Sequence, residues 1–229
     1  MRLPRFFAML PRVTRGLIVA CFIVFLLQLA AGRGAFDAFA LWPFGAGEYE
    51  TISNDVQTFM PWQLVTYSFL HGGFGHLFFN MLAVLMFGAQ LEHLWGERKF
   101  AIYWFSCVVG AGVCQLAMST WLLSSQNIMI SAIGASGGVY GLIIAFGMKF
   151  PDQKVAIFPL PMLITARTLA IVFAVVALFY GVFGSNDGVA HFAHLGGLVT
   201  GWLLVRYWAG KPPFGKGGKK KPPYIRRVH

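Results

Sequence analysis

Residues 131–142 read SAIGASGGVYGL, a single serine, Ser136, set among small residues at the head of an apolar run. A hydroxyl ringed by glycines is an odd beginning for a helix bound for lipid. Runs of comparable length recur along the chain, each near the ~20 residues that a helix needs to cross ~30 Å of hydrocarbon. We count six, at 16–32, 73–91, 100–123, 132–148, 168–184 and 190–205. Hydrophobic residues make up 57% of the 229 and charged residues 11%, too little charge to coat a soluble globule of this length. The expected fold class is all-α, a polytopic membrane protein of six transmembrane helices.

Charge sets the orientation. Arg2, Arg5, Arg12 and Arg15 ahead of a run ending LAAGRGA also resemble a secretory signal with a small-residue cleavage site. With the first run retained and both termini inside, every Lys and Arg except Arg33 falls on the inner side, as the positive-inside rule asks. Cleavage of that run would move either the tail or the inner loops to the wrong side. The expected organisation is a basic inner arm at 1–15, a helical domain at 16–209 and a basic tail at 210–229. The tail, GKPPFGKGGKKKPPYIRRVH, has no apolar period and reads as a disordered stop-transfer flank near anionic headgroups.

The net charge of +10 follows from this topology, and no nucleic-acid-binding motif accompanies it. Cys21, Cys107 and Cys114 fall inside apolar runs, where thiols act as small hydrophobes; neither a disulfide nor a metal is assigned. Residues 33–72 form the one long loop, on the outer side, with Asp37, Glu48, Glu50 and Asp55 and the segments LWPF and MPWQL. Its aromatics suit the membrane interface, and its length calls for structure of its own.

Polar side chains inside a membrane are costly and face the bundle interior, so their depth is informative. His76 and Asn80 lie near the outer end of the second run, Ser136 and Tyr140 of the fourth, His191 and His194 of the sixth. Each pair is three or four residues apart and shares a helix face. Gly137 and Gly141 in the fourth run, and Gly197 and Gly201 after His194, let helix backbones approach closely. Such an approach would bring the serine hydroxyl within hydrogen-bond reach of an imidazole. A lone serine in a membrane helix is ordinarily a packing residue, and a lone histidine ordinarily bonds a neighbouring helix. Three polar pairs on three parallel runs at one depth shift that balance.

In these motifs the sequence resembles the rhomboid family of intramembrane serine proteases. The resemblance runs from MPWQLVTYSFLHGGFGHLFFNML through GAQLEHLWG and GASGGVYGL to AHFAHLGGLVTG. The GxSG motif joins His71, His76 and Asn80 in a His-x4-His-x3-Asn pattern and a later histidine followed by glycines. The resemblance implies a six-helix bundle with an outward-open polar cavity. It puts the nucleophile on Ser136, the general base on His194, the residue under the base's ring on Tyr140, and oxyanion donors on His76, Asn80 and the Ser136 backbone. Glu92 and Gly96 match a structural pair at the inner end of the second helix.

No carboxylate falls at this depth, so a Ser-His dyad is expected, with the orienting role usually held by an aspartate passing to packing against Tyr140. No cofactor is expected. The implied substrates are single-span membrane proteins cut near their outer ends, in a bacterial inner membrane. A channel would need polar groups through both halves of the membrane. A metalloprotease could draw on His71, His76, His191 and His194, yet HExxH is absent. The alternative kept is a non-enzymatic membrane chaperone of rhomboid type.

Overall fold

The computed structural model describes residues 10–45, 58–156, 162–183 and 191–211. The arm up to residue 9, the loop residues Glu48, Glu50 and Asp55, and the tail from 212 lie outside the described residues.

Pro11, which has no backbone N–H to leave unpaired, stands immediately before α1 (Arg12–Ala31). The free N–H groups of that helix start are met by a carboxylate from elsewhere. Glu92 accepts from Val13 N at 2.9 Å, from Thr14 N at 2.7 Å and from Thr14 Oγ1 at 2.7 Å. A negative group at the positive end of the helix dipole stabilises both partners. Glu92 is buried, so the pair ties the start of α1 to the helical turn that carries Glu92.

The described residues that follow α1 have structure of their own. A 3₁₀ turn (Arg33–Phe39), the short α2 (Gln63–Thr66) and a second 3₁₀ turn (Tyr67–Phe69) are held by fully buried Gln63. Gln63 Nε2 donates to Ala38 O and Thr58 O, each at 3.3 Å, and its Oε1 accepts from Trp42 N at 3.2 Å. Trp42 and Trp62 donate their indole N–H groups to Asp37 O and Ala38 O.

The second helical unit is composite: α3 (Phe74–Ala83), a π-helical turn (Val84–Gly88) and α4 (Ala89–Trp95). Gly96 breaks it with φ 80°, a left-handed conformation that favours glycine, and α5 (Glu97–Gln126) turns back. Asn127 at φ 57° ends α5 with its N–H on Leu123 O, while Ile128 N donates to Leu122 O. Then follow α6 (Ser136–Lys149), α7 (Ala166–Phe183) and α8 (His191–Trp208). Among the described residues three helical units are long and apolar enough to cross a membrane, at Arg12–Ala31, Phe74–Trp95 and Glu97–Gln126; Ala166–Gly181 is a shorter apolar helix.

Two departures from the sequence reading stand out. The apolar run 132–148 is longer than the helix it contains, because residues 132–135 precede the helix. Ala132 forms an antiparallel bridge with Leu41, Gly134 N donates to Tyr67 O at 2.8 Å, and Gly134 sits at φ 121°. The mostly helical fold also holds one short hairpin that the sequence reading does not include: β1 (Lys154–Ala156) pairs antiparallel with β2 (Leu163–Thr165) between α6 and α7.

α5, α6 and α8 pack through small residues. A Cβ on Gly197 would overlap the Gly137 carbonyl, and one on Gly137 would overlap the Ala111 methyl. One on Gly141 would overlap Cys107, and one on Gly201 the Tyr103 hydroxyl, which itself bonds Gly141 O at 2.5 Å. These contacts leave no room for a larger residue and set α6 against α8 at backbone distance.

Candidate active site

Ser136 is the first residue of α6, placed there by the Leu41–Ala132 bridge and the Gly134 contact to the outer loop. The glycine contact between α6 and α8 brings the first turn of α8 opposite it. His194 Nε2 lies 2.8 Å from Ser136 Oγ. With the hydroxyl donating to Nε2, the neutral imidazole carries its proton on Nδ1, and Nδ1 is buried without a hydrogen-bond partner among the described residues. What holds the ring is packing: the Tyr140 ring stacks on it at 4.1 Å with 7° between planes, and Tyr140 leans in turn on Phe173 of α7.

His76 and Asn80 face the same space from α3. The two line, with Ser136, Tyr140 and His194, a cavity of about 670 Å³. The His76 ring lies where a Cβ on Gly134 would stand, at 2.6 Å, so the glycine two residues before the serine makes room for the imidazole. A long contact of 3.4 Å from Gly72 N to His76 Nδ1 makes Nδ1 the acceptor and leaves Nε2–H as the ring's donor. Asn80 spends one amide hydrogen on its own helix, Nδ2 to His76 O at 2.9 Å, and keeps a second. The first N–H groups of α6 have no intrahelical partner, the Ser136 N–H among them. One cavity thus contains a hydroxyl bonded to an imidazole and three kinds of neutral donor.

Two histidines stand apart. His191 stacks on Tyr180 of α7 at 5.3 Å and meets His194 edge-on at 6.0 Å. His71 is buried behind the cavity, its backbone N–H on Gln28 Oε1 and its Nδ1–H on Phe69 O. Burial, with the neighbouring His76 adding to it and the Phe69 carbonyl opposing, pushes the His71 imidazole down to about 4. Among the described residues no group of three His, Cys, Asp or Glu side chains converges as a metal site.

Sequence reasoning missed several residues that build this place. Tyr67 receives Gly134 through its carbonyl and anchors its hydroxyl on Val108 O at 2.8 Å. Leu41 holds Ala132, four residues before the serine, and Val155 of β1 lines the cavity. Leu41, Val155 and the Tyr67 carbonyl work through backbone atoms or apolar surface, which carries no residue-type signal, and the Tyr67 hydroxyl spends itself on a backbone carbonyl.

Comparison with known proteins bears on the same segments. The family model described as Rhomboid domain matches residues 58–210. RHOMBOID-like protein 4 of Arabidopsis thaliana is 32% identical over 160 residues, 67% of this chain and 36% of the relative. Rhomboid-like protease 3 of Toxoplasma gondii is 27% identical over 164 residues, covering 72% and 56%. Rhomboid protease GlpG of Yersinia pestis (strain Pestoides F) is 27% identical over 199 residues, covering 86% and 62%. The chain therefore spans between about a third and three fifths of the length of these relatives.

Proposed function

The chain belongs to the rhomboid family, and from that premise we propose that it is an intramembrane serine endopeptidase cutting single-span membrane proteins near their outer ends. The observation that carries this reading is the 2.8 Å contact between His194 Nε2 and Ser136 Oγ. Serine at its free pKa is a weak nucleophile, and an adjacent base activates it. His194 takes the hydroxyl proton as Oγ attacks the scissile carbonyl and returns it to the leaving amine. Tyr140 keeps the imidazole in plane for both transfers. His76 Nε2–H, the second Asn80 hydrogen and the Ser136 N–H donate to the oxygen anion, in a site shielded from bulk water where neutral donors count most. Water then releases the acyl group by the same base.

A carbonyl hydrogen-bonded within a helix is not available for attack. The favoured substrates therefore carry small or helix-breaking residues at the outer end of the span, where the chain unwinds. The reading includes six spans with both termini inside, in a bacterial inner membrane, with the lipid bilayer as the other partner and no cofactor. A fluorophosphonate probe tests it: the wild type should label covalently and Ser136→Ala should not. Absence of labelling on the folded wild type would favour a non-enzymatic membrane chaperone.

A further inference from the structure

A second cavity, of about 460 Å³, lies where the start of α1 meets the turn between α4 and α5. It is lined by Arg12, Arg15, Glu92, His93 and Glu97, with Leu10 at its apolar side. Gly96 at φ 80° turns the chain there and sets Glu97 Oε1 3.6 Å from Arg12 Nε. The Glu92 carboxylate already serves the first N–H groups of α1 and the Thr14 hydroxyl, so the helix start is closed. Arg12 and Glu97 are instead 78% and 54% exposed, and an ion pair of that kind is weakly held. It opens at little cost to a molecule that brings both charges.

The lining also sets which charges are welcome. Two arginines stand against two carboxylates, so a zwitterion enters in balance, whereas a net anion would stand uncompensated beside Glu92 and Glu97. The place in the fold says what else the molecule carries. α1 is apolar and long enough to cross a membrane, and its charged start lies at the edge of that apolar length. Four, seven, eight and eleven residues beyond Arg15, on its own face, Val19, Phe22, Ile23 and Leu26 are exposed. From Arg15 to Leu26 this stripe rises ~16 Å, about one leaflet of a ~30 Å hydrocarbon core.

We propose that the cavity binds the headgroup of a phospholipid bearing a phosphodiester and a primary ammonium, with an acyl chain along the Val19–Leu26 stripe. Arg12 and Arg15 donate to the phosphodiester oxygens, in the charge-assisted geometry that guanidinium groups give. Glu97 accepts from the ammonium in place of Arg12. Binding of this kind is independent of the protease reading, and Ser136→Ala should bind as the wild type does.

The test titrates the full chain, purified in detergent, with phosphatidylethanolamine, phosphatidylcholine and phosphatidylglycerol of equal chain length, read by native mass spectrometry. Phosphoethanolamine without acyl chains is the fourth ligand. The wild type should bind phosphatidylethanolamine about tenfold more tightly than the other two lipids, the scale of one charge-assisted hydrogen bond. Glu97→Gln should erase that preference and leave phosphatidylcholine binding unchanged. Arg12→Gln and Arg15→Gln should each weaken all three lipids by about tenfold. Arg12 and Glu97 are exposed, so these two variants keep the packing, and a melting curve in lipid-free detergent accompanies each. Equal affinity of the wild type for the three lipids, or a preference that survives in Glu97→Gln, would overturn the proposal. Tighter binding of phosphatidylglycerol would overturn it in favour of simple charge attraction. Phosphoethanolamine binding as tightly as the lipid would overturn it in favour of a soluble phosphate.

Discussion

The ring of Tyr140 lies parallel to that of His194, 4.1 Å between centroids and 7° between planes. Among the described residues no carboxylate bonds Nδ1, and this stack and the Ser136 contact orient the imidazole. Tyr140→Phe keeps the aromatic face and should stay within about threefold of wild type in kcat. An aromatic stack is worth ~0.5–1.5 kcal/mol, so Tyr140→Ala should lower kcat by up to about tenfold with KM little changed. A loss in Tyr140→Phe equal to that in Tyr140→Ala would point to the hydroxyl instead of the stack.

The two histidines of AHFAHLGG should separate cleanly. His194 bonds Ser136, whereas His191 lies 6.0 Å from His194 and stacks on Tyr180. His194→Ala should be inactive and His191→Ala should retain measurable turnover in the same cleavage assay. The reverse pattern would assign the base to the wrong imidazole.

Oxyanion donation predicts a kinetic signature for His76 and Asn80. Groups that act in the transition state lower kcat more than they raise KM when removed. Loss of one such donor costs about 10²–10³-fold in a soluble serine protease. Here each of His76→Ala and Asn80→Ala should lose less, because the other side chain and the Ser136 N–H remain. The double variant should be slower than either, without simple multiplication. If both residues only tie α3 to its neighbours, melting temperature would fall while kcat per folded molecule stayed constant.

Much of this site is legible in the sequence because membrane burial makes polar residues rare and therefore loud. Ser136, Tyr140, His194, His76 and Asn80 announce themselves by type, spacing and common depth, and glycines at 137, 141, 197 and 201 announce the close helix contact. What stayed hidden depends on partners far away in the chain. The residues before Ser136 are as apolar as the helix that follows, and among the described residues the Leu41 bridge to Ala132 and the Tyr67 carbonyl on Gly134 N–H hold them out of it. The β1–β2 hairpin has strands of 3 residues each, too short for an alternating pattern to register. Glu92 matches a structural residue by resemblance, but its partner at the start of α1, Thr14, shows only in the fold.

That Glu92–Thr14 contact yields a stability prediction. Glu92→Gln keeps an acceptor but loses the charge and should lower the melting temperature modestly. Glu92→Ala leaves buried N–H groups of α1 unpaired, at ~1–3 kcal/mol for each unsatisfied group, and should lower it further. In both variants kcat per folded molecule should be unchanged, measured on the same preparation as the melting curve.

A dyad needs no Lewis acid, so turnover should survive EDTA and phenanthroline. A loss restored by added zinc would favour metal-dependent chemistry.

The most direct measurement is cleavage of a panel of purified single-span membrane proteins by the reconstituted wild type beside Ser136→Ala. The Ser136 hydroxyl is small, and alanine suits a helix packed this closely, so the variant should fold and melt as the wild type does. The account predicts cuts near the outer ends of susceptible spans with the wild type and none with Ser136→Ala. Equal cleavage by the two, in preparations free of other proteases, would contradict it.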